Sequence, residues 1–157
     1  MFFGNIKDSE MVLSELGKFA EKFWLEIPKH FPFISLDEHV VMPNHLHGVI
    51  DIDKPDGRDV ACYVSTGDNK EFYSKISPTE GSLGAIIRSF KSAVTREINK
   101  KSINTDFSWQ SGFYEYIIRG EKDLNKIRDY IINNPANWAE DKNNPENFKQ
   151  NKKLKWE

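Results

Sequence analysis

The sequence holds one cysteine, Cys62, and this scarcity closes off two kinds of small protein at once. Neither an internal disulfide framework nor a cysteine-rich zinc site can be built. Long apolar runs are missing too. None approaches the ~20 residues of a membrane helix, so no membrane partner is expected. No basic-then-apolar segment opens the chain in the manner of a secretion signal, and the expected location is cytoplasmic. There is no glycine-rich P-loop, no internal repeat and no strong overall charge, the net being −2.

What is present is a globular composition. Of 157 residues, 38% are hydrophobic and 20 are aromatic (4 Trp, 5 Tyr, 11 Phe), enough for one domain with a real core. The charge is unevenly spread. Residues 1–53 carry 4 Lys/Arg against 9 Asp/Glu, whereas residues 85–128 carry 9 against 5. The total therefore conceals a basic stretch, although any single Lys or Arg there also serves as an ordinary solvated helix face.

Hydrophobic spacing predicts a helix over 9–27, with Val12, Leu16, Phe19, Phe23 and Ile27 as its stripe and Pro28 as its stop. "ISLDEHVVM" (34–42) and "HLHGVIDI" (45–52) read as two strands of a hairpin about Pro43 and Asn44. Residues 53–81 hold no period and read as a surface insertion. Residues 82–99 form an amphipathic helix with stripe Leu83, Ile86, Ile87, Phe90, Val94 and Ile98, capped by Ser82. "WQSGFYEYII" (109–118) reads as an aromatic strand, and 121–134 as a helix ended by Pro135. From Asn143 onward the chain is Asn- and Lys-rich and reads as a loose tail apart from Trp156. The order is helix, strand, strand, helix, strand, helix. That is an α+β, ferredoxin-like split β-α-β antiparallel sheet with helices packed on it and its opening strand missing.

Two short patterns carry chemistry. His45 and His47 are two apart on a strand, so both rings point to one face ~6.5 Å apart along the chain and can converge on a divalent metal. Taken alone, such a pair serves equally as two half-buried rings bonded to backbone. Tyr130 and Asn134 are four apart and share a helix face one turn from each other. Tyr130 also suits the edge of the Leu124, Ile127 and Ile131 stripe, and Asn134 before Pro135 suits a helix terminator.

Three ordered blocks, "LDEHVVMPNHLHGVI", "GSLGAIIRSFKSAVTREIN" and "WQSGFYEYIIRGEKDLNKIRDYIINNPANWAED", resemble those of REP-associated tyrosine transposases. These are single-tyrosine members of the HUH endonuclease superfamily, named for His, hydrophobic residue, His. The resemblance implies a transposase domain over 1–141, with a variable insertion at 53–81 and a tail at 142–157. It makes His45 and His47 the metal pair, Tyr130 the nucleophile and Asn134 the third ligand, where insertion-sequence relatives use Gln. The cofactor implied is Mg or Mn, and the partner is single-stranded DNA with hairpins, such as REP-like repeats, acted on by a monomer or homodimer. The implied reaction leaves a 5′-phosphotyrosine and a free 3′-hydroxyl and reverses without ATP. Tyr114 and Tyr116 are rival nucleophiles. Arg88, Lys91, Arg96, Lys100, Lys101 and Arg119 can track a phosphate backbone, with Trp109, Phe113 or Tyr114 available to stack on bases.

The chain departs from the pattern at its start. "MFFGNI" resembles the "Phe-Gly-Glu-Ile" that relatives reach only after a first strand. Losing that strand leaves sheet edges unpaired, so lower stability than in relatives is expected. The alternative function is a domesticated or truncated hairpin-binding module that no longer cuts. A third is an unrelated small metal-binding protein.

Overall fold

The computed structural model describes residues 1–53, 81–103 and 106–147. The insertion read at 53–81, Cys62 and Trp156 lie outside the described residues, Asp53 and Gly81 at its edges excepted. The architecture is α+β, with two small two-stranded sheets among the described residues. In order these are β1 (Gly4–Lys7), β2 (Glu10–Leu13), α1 (Glu15–Leu25), α2 (Ile27–His30), β3 (Ile34–Val41), β4 (Leu46–Ile52), α3 (Leu83–Lys100) and α4 (Glu121–Asn133), then a 3₁₀ turn at Trp138–Glu140. Among the described residues no helix is long and apolar enough to cross a membrane.

The first departure from expectation is at the N-terminus. The helix read from residue 9 begins only at Glu15, because 4–13 form a hairpin in which Lys7 faces Glu10. Asp8 and Ser9 have φ of 51° and 66°, the two positive values of a type I′ turn whose twist matches paired strands. Ser14 then starts α1 as its cap, its Oγ accepting from the Gly17 N–H at 3.1 Å. Val12 is thus a strand residue and 55% exposed, while the stripe of α1 runs through Leu16, Ala20 and Trp24 rather than Phe19 and Phe23. Pro28 does not simply stop that helix. α1 ends at Leu25, and Pro28 sits in the first turn of α2, where its missing N–H goes unnoticed.

Gly17 makes the hairpin's close approach possible. A β-carbon there would lie 2.1 Å from the Phe3 carbonyl oxygen, a backbone atom already accepting from the Ser14 N–H at 2.8 Å. Gly17→Ala is therefore expected to destabilise the protein by about 3 kcal/mol, despite alanine's better helix propensity. Chemical denaturation would read this as a lower midpoint at unchanged slope.

The β3–β4 hairpin and the two later helices form where expected. Ser82 caps α3, its Oγ accepting from the Ala85 N–H at 3.3 Å, and Ile86, Phe90, Val94 and Ile98 are buried along it. Residues 109–118, by contrast, are not a strand. The Lys91 ammonium donates to the carbonyls of Gln110 and Gly112, and Gly112 turns the chain at φ 70°. Among the described residues the stretch pairs with neither sheet. Of the tail read from 143, the described residues are 143–147, and these are hydrogen-bonded. Asn144 is buried and donates to the Trp138 carbonyl at 3.1 Å, and Asn147 donates to those of Ala139 and Asp141.

The chain divides into two compact units. The first takes its described residues from Met1–Glu21, Asp37–Val49 and Tyr114–Glu157. Phe3, Leu16, Ala20, Val41, Met42, Val49, Ile131 and Trp138 are its buried apolar residues. The second takes them from Lys22–Leu36 and Ile50–Phe113, with Trp24 edge-on to Phe90 at 5.5 Å between ring centres.

Candidate metal centre and nucleophile

The turn that carries the histidines is rigid. Met42 and Pro43 are fully buried, and the Met42 N–H donates to the His45 carbonyl at 2.8 Å, closing the loop around Pro43 and Asn44. His45 and His47 then point to one side as strand alternation requires, their rings edge-to-face at 4.6 Å and their Nε2 atoms 2.9 Å apart. Two cis donors each ~2.1 Å from one ion lie about 3 Å apart, so the nitrogens already have the spacing of a shared cation.

The protonation pattern follows from neighbours. The Asn44 Nδ2 lies 2.8 Å from the Asn143 carbonyl, which only accepts, so the amide NH₂ must face it. The Asn44 Oδ1 therefore faces His45 Nδ1 at 2.8 Å and accepts its proton. A neutral His45 so held keeps Nε2 bare, ready to accept from His47 or to bind a cation. Burial pushes the His45 pKa down to about 4, helped by His47 and opposed by Asp141. His47 is also lowered, chiefly by burial. Both are neutral at pH 7, the ligand form.

Helix α4 brings up the second half of the site. Arg128 grips Asp37 of β3 with two bonds, Nε to Oδ1 at 2.7 Å and NH2 to Oδ2 at 2.5 Å. Two residues on, the Tyr130 ring stands edge-on to His47 at 5.3 Å between centres, and the residue is 52% exposed. Asn134, one turn further, ends the helix as expected but is only 3% exposed, and its Oδ1 has no hydrogen-bond partner. Such an orphaned oxygen costs ~1–3 kcal/mol, and a hard cation would satisfy it. The Trp138 ring lies 6.0 Å from that of His45. The donor types fit a divalent ion: two imidazoles and a buried amide oxygen.

Two residues at this site escaped the sequence reading. Asn44 looked like a turn former, and only its two hydrogen bonds disclose its hold on His45. Asp141 lies beyond Pro135, where the chain leaves α-helical geometry and a period of 3.6 no longer assigns faces. Yet its carboxylate and the two histidines have ligand atoms all within 4.8 Å of one another.

The rival tyrosines have other surroundings. Tyr116 donates to Asp123 at 3.4 Å, a bond that raises its pKa and so makes it a poorer nucleophile, and Tyr114 is 94% exposed. The four residues assigned to nucleic acid are divided between the two units. Arg88, Lys91 and Arg96 are on α3 in the second unit, and Arg119 is in the first. Lys91 is committed to the carbonyls of Gln110 and Gly112, whereas Arg88, Arg96 and Arg119 are exposed. Trp109 Nε1 donates to the Lys91 carbonyl at 3.1 Å, and its ring packs on Phe90 and Phe107.

The chain is 38% identical, over 143 residues, to a Haemophilus influenzae protein described only as uncharacterized, with 88% of this chain and 75% of that protein covered. This chain belongs to the family of that protein. No family model matches it, and no solved structure does.

Proposed function

We propose that the chain is a metal-dependent single-stranded DNA transesterase of the REP-associated tyrosine transposase kind. The observation that carries this reading is the Tyr130 ring set 5.3 Å from His47, whose Nε2 faces that of His45 at 2.9 Å. A lone pair of histidines says little about DNA. The same pair beside an accessible phenol, with a buried orphaned amide oxygen one turn along the same helix, matches what the three-block resemblance implies.

His45, His47 and Asn134 would hold a Mg or Mn ion, which when bound draws charge from the scissile phosphate. Tyr130 Oη attacks the phosphorus in line. The P–O3′ bond breaks, the phenol proton passes to water, and the departing 3′ oxygen takes a proton from water. The 5′-phosphotyrosine retains the ester's energy, so an attacking 3′-hydroxyl can reverse the step. His45, oriented by Asn44, and His47, both neutral, would serve as ligands rather than as proton carriers. The ferredoxin-like arrangement and a cytoplasmic location belong to this reading, and the succession α1, α2, β3, β4, α3, α4 supports the first of them. Hairpin recognition without cleavage is the second reading, favoured by the non-strand course of 113–119 where a catalytic sheet is expected to have its last strand.

The test is end-labelled single-stranded DNA bearing hairpins from the host's repeats, incubated with Mn and the protein. A denaturation-resistant protein–DNA adduct supports the transesterase. Hairpin binding without adduct supports the second reading. Because Tyr130 meets the histidines of its own chain, mixing Tyr130→Phe with His47→Ala protein is expected to restore no adduct. Restored adduct would mean that the tyrosine acts on a second copy.

A further inference from the structure

We propose that Asp141 is a metal ligand, completing with His45 and His47 a two-histidine, one-carboxylate set. The inference rests on the metal-dependent reading above and adds a donor that neither the histidine motif nor α4 supplies. Asp141 follows the 3₁₀ turn Trp138–Glu140, which returns the chain toward the β3–β4 turn after α4 has ended. Its carboxylate oxygen and the two imidazole nitrogens lie within 4.8 Å of one another, while the two Nε2 atoms are already 2.9 Å apart. A movement of ~1–2 Å by one carboxylate would bring all three to the ~3 Å spacing of cis ligands. The turn that carries it is held on both sides of the site. The Asn143 N–H donates to Asp141 Oδ1 at 2.6 Å, and the Asn143 carbonyl receives the Asn44 amide that fixes His45. The carboxylate is partly buried against two neutral rings and acts on the charge of both.

The added ligand changes which ion is held. Two imidazoles and an amide leave a bound divalent ion at +2, whereas a carboxylate reduces it to +1 and binds far more tightly. Mg favours an oxygen octahedron and gives up water reluctantly, so nitrogen donors with one carboxylate favour Mn, Fe or Zn. The site should accordingly prefer Mn to Mg.

Asp141→Asn is the variant of choice, because its amide oxygen can still accept from the Asn143 N–H and only the charge is removed. Calorimetric titration of the metal-free protein with Mn is expected to show affinity at least tenfold weaker in Asp141→Asn, partly restored in Asp141→Glu. Wild-type Mn affinity in a folded Asp141→Asn would overturn the proposal. Should that variant not fold, Asp141→Ser, whose hydroxyl can still accept from the Asn143 N–H, must show the same loss of Mn affinity. Wild-type Mn affinity in a folded Asp141→Ser overturns it equally. Mn lost by Asp141→Asn in a protein that forms no DNA adduct keeps the ligand and removes the transesterase. An adduct with unchanged Mn affinity in that variant does the reverse.

Discussion

Tyr130→Phe is expected to abolish the covalent adduct, with a loss of at least ~10³-fold, while leaving the fold and Mn affinity intact. The phenol oxygen is the attacking atom in the proposed chemistry, and phenylalanine offers none, so no residual route through this position exists. The ring itself is retained. Its edge contact with His47 at 5.3 Å needs only the aromatic carbons, and a residue 52% exposed contributes little burial. The unfolding free energy should therefore change by less than about 0.5 kcal/mol. Adduct formation, Mn titration and denaturation on one preparation separate the cases. An adduct that persists moves the nucleophile to another residue, and lost Mn binding would make Tyr130 a structural part of the metal site.

The second large effect concerns acid. In metal-free protein the His45 pKa is about 4, against an ordinary value of 6.5, because burial disfavours the imidazolium. Between those values the unfolded chain binds more protons than the folded one. Stability from this group is therefore full above pH 6.5 and falls as the pH is lowered to about 4, by about 3 kcal/mol. His47, lowered for the same reason, acts in the same direction. Asp37 works in a lower window. Its Arg128 bond holds its pKa near 2, so that contribution persists above 3.8 and disappears toward pH 2. The pair is partly exposed, so its contribution is small. Urea denaturation with chelator at pH 7, 6, 5 and 4 should show a steep decline that His45→Gln makes shallower. Flat stability from pH 7 to 4.5 would contradict the burial of these rings.

The sequence announces elements whose signals are local. Ser82 with its apolar stripe, the Pro43-Asn44 turn and the α4 period each appear where the residues place them. The His45–His47 pair and the Tyr130–Asn134 turn were legible for the same reason, since strand and helix periods fix which side chains share a face. What was not legible depends on long-range bonds. Val12 fits a helical stripe and lies in a strand because Asp8 and Ser9 adopt a turn that their identities do not announce. The aromatic run at 109–118 alternates like a strand, yet Lys91, 19 and 21 residues before Gln110 and Gly112 in the donor–acceptor count, takes its carbonyls. Asp141 and Asn44 are 97 positions apart by their numbers in the chain, and no period spans that distance.

The bond from Asn44 to the Asn143 carbonyl has a consequence for where this protein can be shortened. Residues 1–141 contain every donor and the tyrosine, and a boundary there follows the end of the resemblance. A chain cut at that point would lose the carbonyl that orients the Asn44 amide. The amide could then rotate, present its NH₂ to His45 Nδ1 and favour the tautomer whose Nε2 carries a proton. The ligands would all be present and one of them would be wearing the wrong hydrogen. A polar stretch that composition marks as dispensable thus acts as a latch on the chemistry of a ring 98 residues away by number.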